Sequence, residues 1–172
     1  MKKILFEDNE GRLCLVIPAD KKSIERTLGT LSDAEYEAHV KERSIPKDAK
    51  KVRDIEDKYI PTTREFRGAW CDITAEPRID IDCEKARDIK LAHIRTIRDK
   101  ELLKTDGEYM KLISTDGAAD SIAKVREEKQ ALRDITNPLK ALNVSGKIND
   151  EVLLKEISDF GNVLNDRVKT IV

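Results

Sequence analysis

The chain has 172 residues, of which 39% are charged and only 4% aromatic, and its formal net charge is -1. That length suits one domain, or a small domain carrying a helical extension, and the balanced charge leaves no global field to draw the chain to nucleic acid or an anionic membrane. So few aromatics imply a thin aliphatic core, of the kind that chains supplement by packing on partners or on copies of themselves.

Between Met1-Lys2-Lys3 and Asp8 the apolar run is too short for a signal peptide. No apolar stretch approaches the roughly 18–20 residues that span a bilayer, so no membrane segment is expected. Cys14, Cys71 and Cys83 lack C-x-x-C spacing and are odd in number, which reads as buried thiols in a reducing compartment.

Lys3-Ile4-Leu5-Phe6-Glu7 and Arg12-Leu13-Cys14-Leu15-Val16-Ile17 flank Asp8-Asn9-Glu10-Gly11. A Gly closing a short polar loop predicts a β-hairpin, and Pro18 ends its second strand because it has no N–H to donate. Short helices are expected over Ser23–Leu28 and Ser32–Val40, the latter opened by the capping-box spacing of Ser32 and Glu35. Lys50–Ile60 reads as a third strand. Thr62-Thr63-Arg64-Glu65 has capping-box spacing too and predicts a short helix through Trp70, placing Phe66 and Trp70 on one face as core anchors. Ile79, Ile81 and Cys83 then alternate with Asp80 and Asp82, as in a half-buried strand with a solvated acidic side.

The second half reads as helical. Ala86, Ile89, His93 and Ile97 make one stripe of a helix from Cys83 to Lys104, with a bend at Asp106-Gly107 and a break at Ser114–Gly117. A partner helix from Ala118 to Asp134 carries Ile122, Val125 and Leu132, closes an antiparallel hairpin and stops at Asn137-Pro138. Asn143–Gly146 reads as a linker. Asn149 is the expected cap of a last helix whose Leu153, Ile157, Phe160, Leu164, Val168 and Ile171 form the cleanest apolar stripe in the chain. That stripe either docks on its own hairpin or makes a seam with another chain, a second copy in a homo-oligomer or a different partner, and the sequence leaves both open.

Chemistry finds little to work with. His39 and His93 are the only histidines, too few for the three or four ligands of a transition-metal site, and His93 reads as a core or interface residue. Asp80, Asp82 and Glu84 lack the pattern of a calcium loop. No nucleophile elbow or phosphate-cradling Gly run is present, and no catalytic residue, metal ligand or cofactor is expected. The alternative function is nucleic-acid binding through the basic residues of the helix over 85–104, including Lys85, Arg87, Lys90, Arg95 and Arg98. Without stacking aromatics it is the weaker reading.

An ordered set of segments is more telling than any of these. Ile60-Pro61-Thr62-Thr63-Arg64-Glu65-Phe66-Arg67-Gly68-Ala69-Trp70 is followed by Ile79-Asp80-Ile81-Asp82 and Lys85-Ala86-Arg87-Asp88-Ile89. Then come Ile94-Arg95, Arg98, Leu102-Leu103, Tyr109-Met110 and Lys129-Gln130-Ala131-Leu132-Arg133-Asp134-Ile135-Thr136. The set resembles small proteins encoded beside tail-fibre genes in tailed bacteriophages, and its last stretch is similar to the end of the phage tail assembly chaperone domain. The resemblance spans roughly residues 3 to 137 and leaves the last helix outside it. It implies a tail or tail-fibre protein without enzymatic activity, in the virion or in the host cytoplasm during assembly, with tail or tail-fibre proteins as partners.

The expected fold is therefore mostly helical α+β. It comprises a small N-terminal domain over 1–78, a helical hairpin over 79–142, and a linker with a separate amphipathic helix over 143–172. Within the hairpin's end, Leu132 is expected to pack on the first helix while Arg133 and Asp134 make fixed polar contacts.

Overall fold

A computed structural model describes residues 2–74 and 76–160. The fold is mostly helical α+β. The chain divides into two compact units, Met1–Ile81 and Asp82–Val172.

In the first unit the hairpin forms as expected from β1 (Lys3–Glu7) and β2 (Leu13–Val16), paired Ile4 to Val16 and Phe6 to Cys14. Gly11 takes a φ of 75° in its loop, a conformation that costs Gly little and other residues more. Two helices follow, α1 (Lys21–Leu28) and α2 (Asp33–Ser44), before β3 (Lys50–Ile55) joins the other edge of β1 in the order β2-β1-β3. Ser32 and Glu35 make both halves of the capping box, which fixes the start of α2. β1 is buried on both faces at Ile4, Leu5 and Phe6. On one of them Ile4 packs with Tyr36 and Val40 of α2, joined by Val16, Ile24, Leu31 and Ile45. The Tyr36 hydroxyl donates to the Ala19 carbonyl at 2.6 Å, so the ring is buried without stranding its polar end.

Three local expectations need correction in this unit. β3 stops at Ile55 and a 3-10 turn, Asp57–Tyr59, follows it. No capping box forms at Thr62–Glu65; instead a 3-10 turn, Arg67–Ala69, runs into the strand β4 (Trp70–Cys71), so Phe66 and Trp70 share no helix face. Both are nonetheless buried anchors, with the Arg67 guanidinium 5.9 Å from the Trp70 ring centre. β4 pairs with β5 (Asp80–Ile81). Far from lying on a solvated face, Asp80 is 0% exposed. Its carboxylate accepts from the backbone N–H of Ile73 at 2.9 Å, of Thr74 at 2.7 Å, and from the Thr74 hydroxyl at 2.9 Å. It staples Ile73 and Thr74 of the β4–β5 loop from within. Arg53 holds the loop's rim, bonding Asp72 at 3.0 Å and the Pro77 carbonyl at 2.9 Å.

The second unit opens with Asp82, whose side chain caps the first helix by accepting from Glu84 and Lys85 N–H. That helix, α3, runs unbroken for 32 residues from Cys83 to Ser114. It continues without a break through Asp106-Gly107, the site of the expected bend. The buried side of α3 is Cys83, Ala86, Lys90, Leu91, Ile94 and Thr105, offset from the expected Ile89–His93–Ile97 stripe, and His93 is exposed rather than core. α4 (Ala119–Asp134) returns along α3. The turn between them needs Gly117, where a Cβ would fall 2.9 Å from Leu112 Cδ2 and 3.0 Å from its carbonyl oxygen. Pro138 does not end the helical path; it sits in the first turn of a short helix, α5 (Asn137–Ala141), where its missing N–H is harmless.

The stretch after α5 is not a free linker. Val144 is buried, Cys83 N–H donates to the Lys147 carbonyl at 3.1 Å, and Asp82 bridges to Ile148. Residues 151–160 are helical. Their cap is Asp150, which accepts from Leu153 N–H, while Asn149 takes a φ of 55°.

Candidate functional site

The two sides of the α3–α4 hairpin differ. On one side a cluster closes it: Arg126 of α4 donates to the Tyr109 hydroxyl of α3 at 3.0 and 3.3 Å, with its guanidinium 5.6 Å from the ring centre. Lys129 stands 4.7 Å from the same ring centre and bonds Asp106 at 2.6 Å. This cluster ties the two helices across three residue steps of each and spans Gly107 on α3.

The other side is open. Between the helices lies a groove of about 440 Å³ lined by Glu101, Lys104, Thr105, Glu108 and Leu112 from α3 and Ser121, Lys124, Val125, Glu128 and Leu132 from α4. Its floor is made by the buried Thr105, Val125 and Leu132 with the half-buried Leu112. Thr105 and Val125 are short side chains at positions where a Leu or Phe would fill the space between helices, and that shortness makes the groove. The Thr105 hydroxyl donates back to the Glu101 carbonyl at 2.6 Å, so it asks nothing of a ligand. Rim charges pair along their own helices, Lys104 with Glu101 at 2.7 Å and Lys124 with Glu128 at 4.0 Å. No ion pair among the described residues crosses the groove to shut it.

The groove runs from Glu101 to Leu112, about 16 Å along α3. That is three helical turns, the length over which a bound helix sets down residues i, i+3 or i+4, and i+7. Its apolar floor and charged rim of both signs suit an amphipathic helix better than a small molecule, which prefers an enclosed cavity. On α3 away from this groove, Leu103 and Met110 are 74% and 65% exposed.

The residues singled out by sequence fall variously. Leu132 is buried and belongs to the groove floor. Asp134 makes the expected fixed contacts, accepting from Gln130 at 2.8 Å and Asn137 at 3.1 Å. Arg133 is exposed and makes no such contact among the described residues. In the last helix Leu153 and Phe160 are half-buried and Ile157 is 0% exposed. Ile157 is therefore enclosed, and a seam with another chain is corrected at that position to packing within the chain. Leu164, Val168 and Ile171 lie outside the described residues.

The groove itself escaped sequence reasoning. Seven of its residues are charged or hydroxylic, and only the spacing of Thr105 and Val125 against longer neighbours hints at it. Two of the basic residues on α3 are held by neighbouring acids: Arg87 pairs with Asp88 and Glu84, and Arg98 with Asp99. Such pairing leaves these two guanidinium groups less available for phosphate contacts. No group of three or more metal-ligating side chains is found among the described residues, and none of their helices is long and apolar enough to cross a membrane. No protein-family model, no curated protein and no solved structure matches the chain.

Proposed function

We propose that this chain is a non-enzymatic, protein-binding component of a bacteriophage tail or tail fibre, an adaptor or an assembly factor, and that its α3–α4 groove receives an amphipathic helix of a tail partner. The observation that carries the reading is the one-sidedness of the hairpin. The Tyr109–Arg126–Lys129–Asp106 cluster holds the helices at a fixed separation, and the opposite side keeps an apolar floor that no described side chain fills. A groove held open in advance lowers the ordering cost of binding. The ordered segments from Ile60 to Thr136 supply the viral context, and they include Tyr109, Lys129 and Leu132.

The partner helix inserts short aliphatic side chains over Thr105 and Val125 and sets charges of both signs against Glu108 and Lys124 at the rim. The test is Val125→Glu in the full chain, expressed in phage-infected cells and recovered by affinity tag. A carboxylate on the floor should abolish co-purification of tail or tail-fibre proteins while far-UV circular dichroism stays helical. Full recovery of those proteins by the variant contradicts the groove.

A further inference from the structure

The three-stranded sheet of the first unit has two edges, and they are built differently. The β3 edge carries Lys50, Lys51, Arg53 and Asp54, has a bulge opposite Leu5–Glu7 with Lys51 at a φ of 51°, and lies beside the loop that Arg53 tethers. Charges, a bulge and a covering loop are the devices by which proteins stop strands from adding to a sheet. Over Leu13–Val16 the β2 edge has none of them, and Arg12 at its start is already paired with Asp8 and Glu10. Its residues are Leu13, Cys14, Leu15 and Val16, uncharged, half-buried and in regular register with β1.

The direction of its backbone groups follows from the ladder. Asp8 N–H donates to the Arg12 carbonyl at 3.0 Å, so alternation makes Phe6–Cys14 and Ile4–Val16 the hydrogen-bonded pairs. The N–H and C=O groups of Leu13 and Leu15 then face outward, and no described residue meets them. We propose that this edge pairs with the same edge of a second copy, antiparallel about a two-fold axis, to give a continuous six-stranded sheet. Leu13 of one copy lies opposite Leu15 of the other, exchanging four hydrogen bonds across the axis, and Cys14 faces its own counterpart. In that register Arg12 lies opposite Val16 and not a second Arg12, so self-pairing brings no like charges together. A second copy is thus the occupant that the edge's composition fits, whereas a basic or acidic strand would find no complement there. An interface confined to one strand edge is small, so association depends strongly on concentration.

The axis offers a direct readout. Cys14 and its counterpart form a non-hydrogen-bonded pair, with Cα atoms about 4.5 Å apart, inside the range that a disulfide bridges. Sedimentation equilibrium of the full chain should give a monomer–dimer equilibrium. Diamide oxidation should trap the dimer through Cys14 to Cys14, identified by peptide mass spectrometry, with Cys14→Ser abolishing the trapped species and Cys71→Ser leaving it intact. Leu13→Pro removes an outward N–H without touching a hydrogen bond of the hairpin. It should weaken dimerisation roughly 30-fold, from one bond lost at each of two equivalent sites. A monomer at every concentration overturns the proposal, as does a dimer of undiminished affinity in Leu13→Pro or a disulfide through other cysteines. So does a monomer whose Leu13 and Leu15 amides gain exchange protection only when another polypeptide is added.

Discussion

Replacing Asp80 with Ala should destabilise the first unit far more than an acidic residue on a short edge strand normally would. The carboxylate is fully buried and accepts three hydrogen bonds, from Ile73 N–H, Thr74 N–H and the Thr74 hydroxyl. Bonds to a charged group contribute about 1.5–3 kcal/mol each. The bonds are part-buried, so water resolvates some of the donors once the carboxylate is gone, which sets the total loss at about 3 kcal/mol. Asp80→Asn keeps one acceptor oxygen but presents an amide to the remaining donors, for a loss of about 2 kcal/mol. The single tryptophan reports on this directly: Trp70 lies in β4, whose Cys71 pairs with Asp80 across the ladder. Urea unfolding followed by its fluorescence should show the Asp80→Ala midpoint lowest and Asp80→Asn between it and the parent. If both variants fall within about 0.5 kcal/mol of the parent, the scatter of ordinary surface substitutions, the staple reasoning is refuted.

Leu132→Ala, which truncates a buried floor residue, should cost about 2–3 kcal/mol by helical circular dichroism, the low end for Leu because the groove lets the site relax. A loss under 1 kcal/mol would mean that Leu132 does not bind α4 to α3. Acid should act through the carboxylates held below their ordinary range, Asp8, Asp33, Glu35 and Glu56, of which Asp8 and Glu35 take part in local backbone caps. Glu35 is held there by the Ser32 hydroxyl and backbone N–H, and Asp8 by the backbone N–H and then the guanidinium of Arg12. Both stabilise the fold above the unfolded carboxylate value of about 4 and lose that effect as pH falls through their lower folded values. The melting temperature should accordingly drop less steeply below about pH 4 in a Ser32→Ala/Asp8→Asn variant than in the parent, and parallel curves would contradict this. Maleimide labelling followed by mass spectrometry should reach the half-buried Cys14 and Cys71 before Cys83, whose thiol is fully buried and pushed up by that burial; early labelling of Cys83 would contradict its placement.

Local rules were legible where one short stretch carries all the information. The Asp8–Gly11 loop and the Ser32–Glu35 capping box needed nothing from elsewhere, and both form. Asp80 was misread because its partners come from a loop whose path no period reveals; alternation alone put it with Asp82, which instead caps α3. Gly107 costs a helix about 1 kcal/mol, enough to expect a bend when α3 is read in isolation. The grips of Asp106 and Tyr109 on Lys129 and Arg126, on either side of it, offset that cost. The apolar stripe of α3 was displaced because its inner side includes Ala86, Lys90 and Thr105, two of them polar. For the same reason the groove left little trace: its floor residues are short and its rim is charged.

The claim that the hairpin groove receives a partner helix is tested most directly by placing a photo-crosslinking amino acid at position 124, on the α4 rim beside Val125. The full chain would be irradiated in phage-infected cells and its covalent adducts identified by mass spectrometry. A tail or tail-fibre polypeptide joined at position 124 through one helical segment, and lost when Val125→Glu is added, is the predicted result. Adducts only to unrelated host proteins, or tail adducts that survive Val125→Glu, would contradict it.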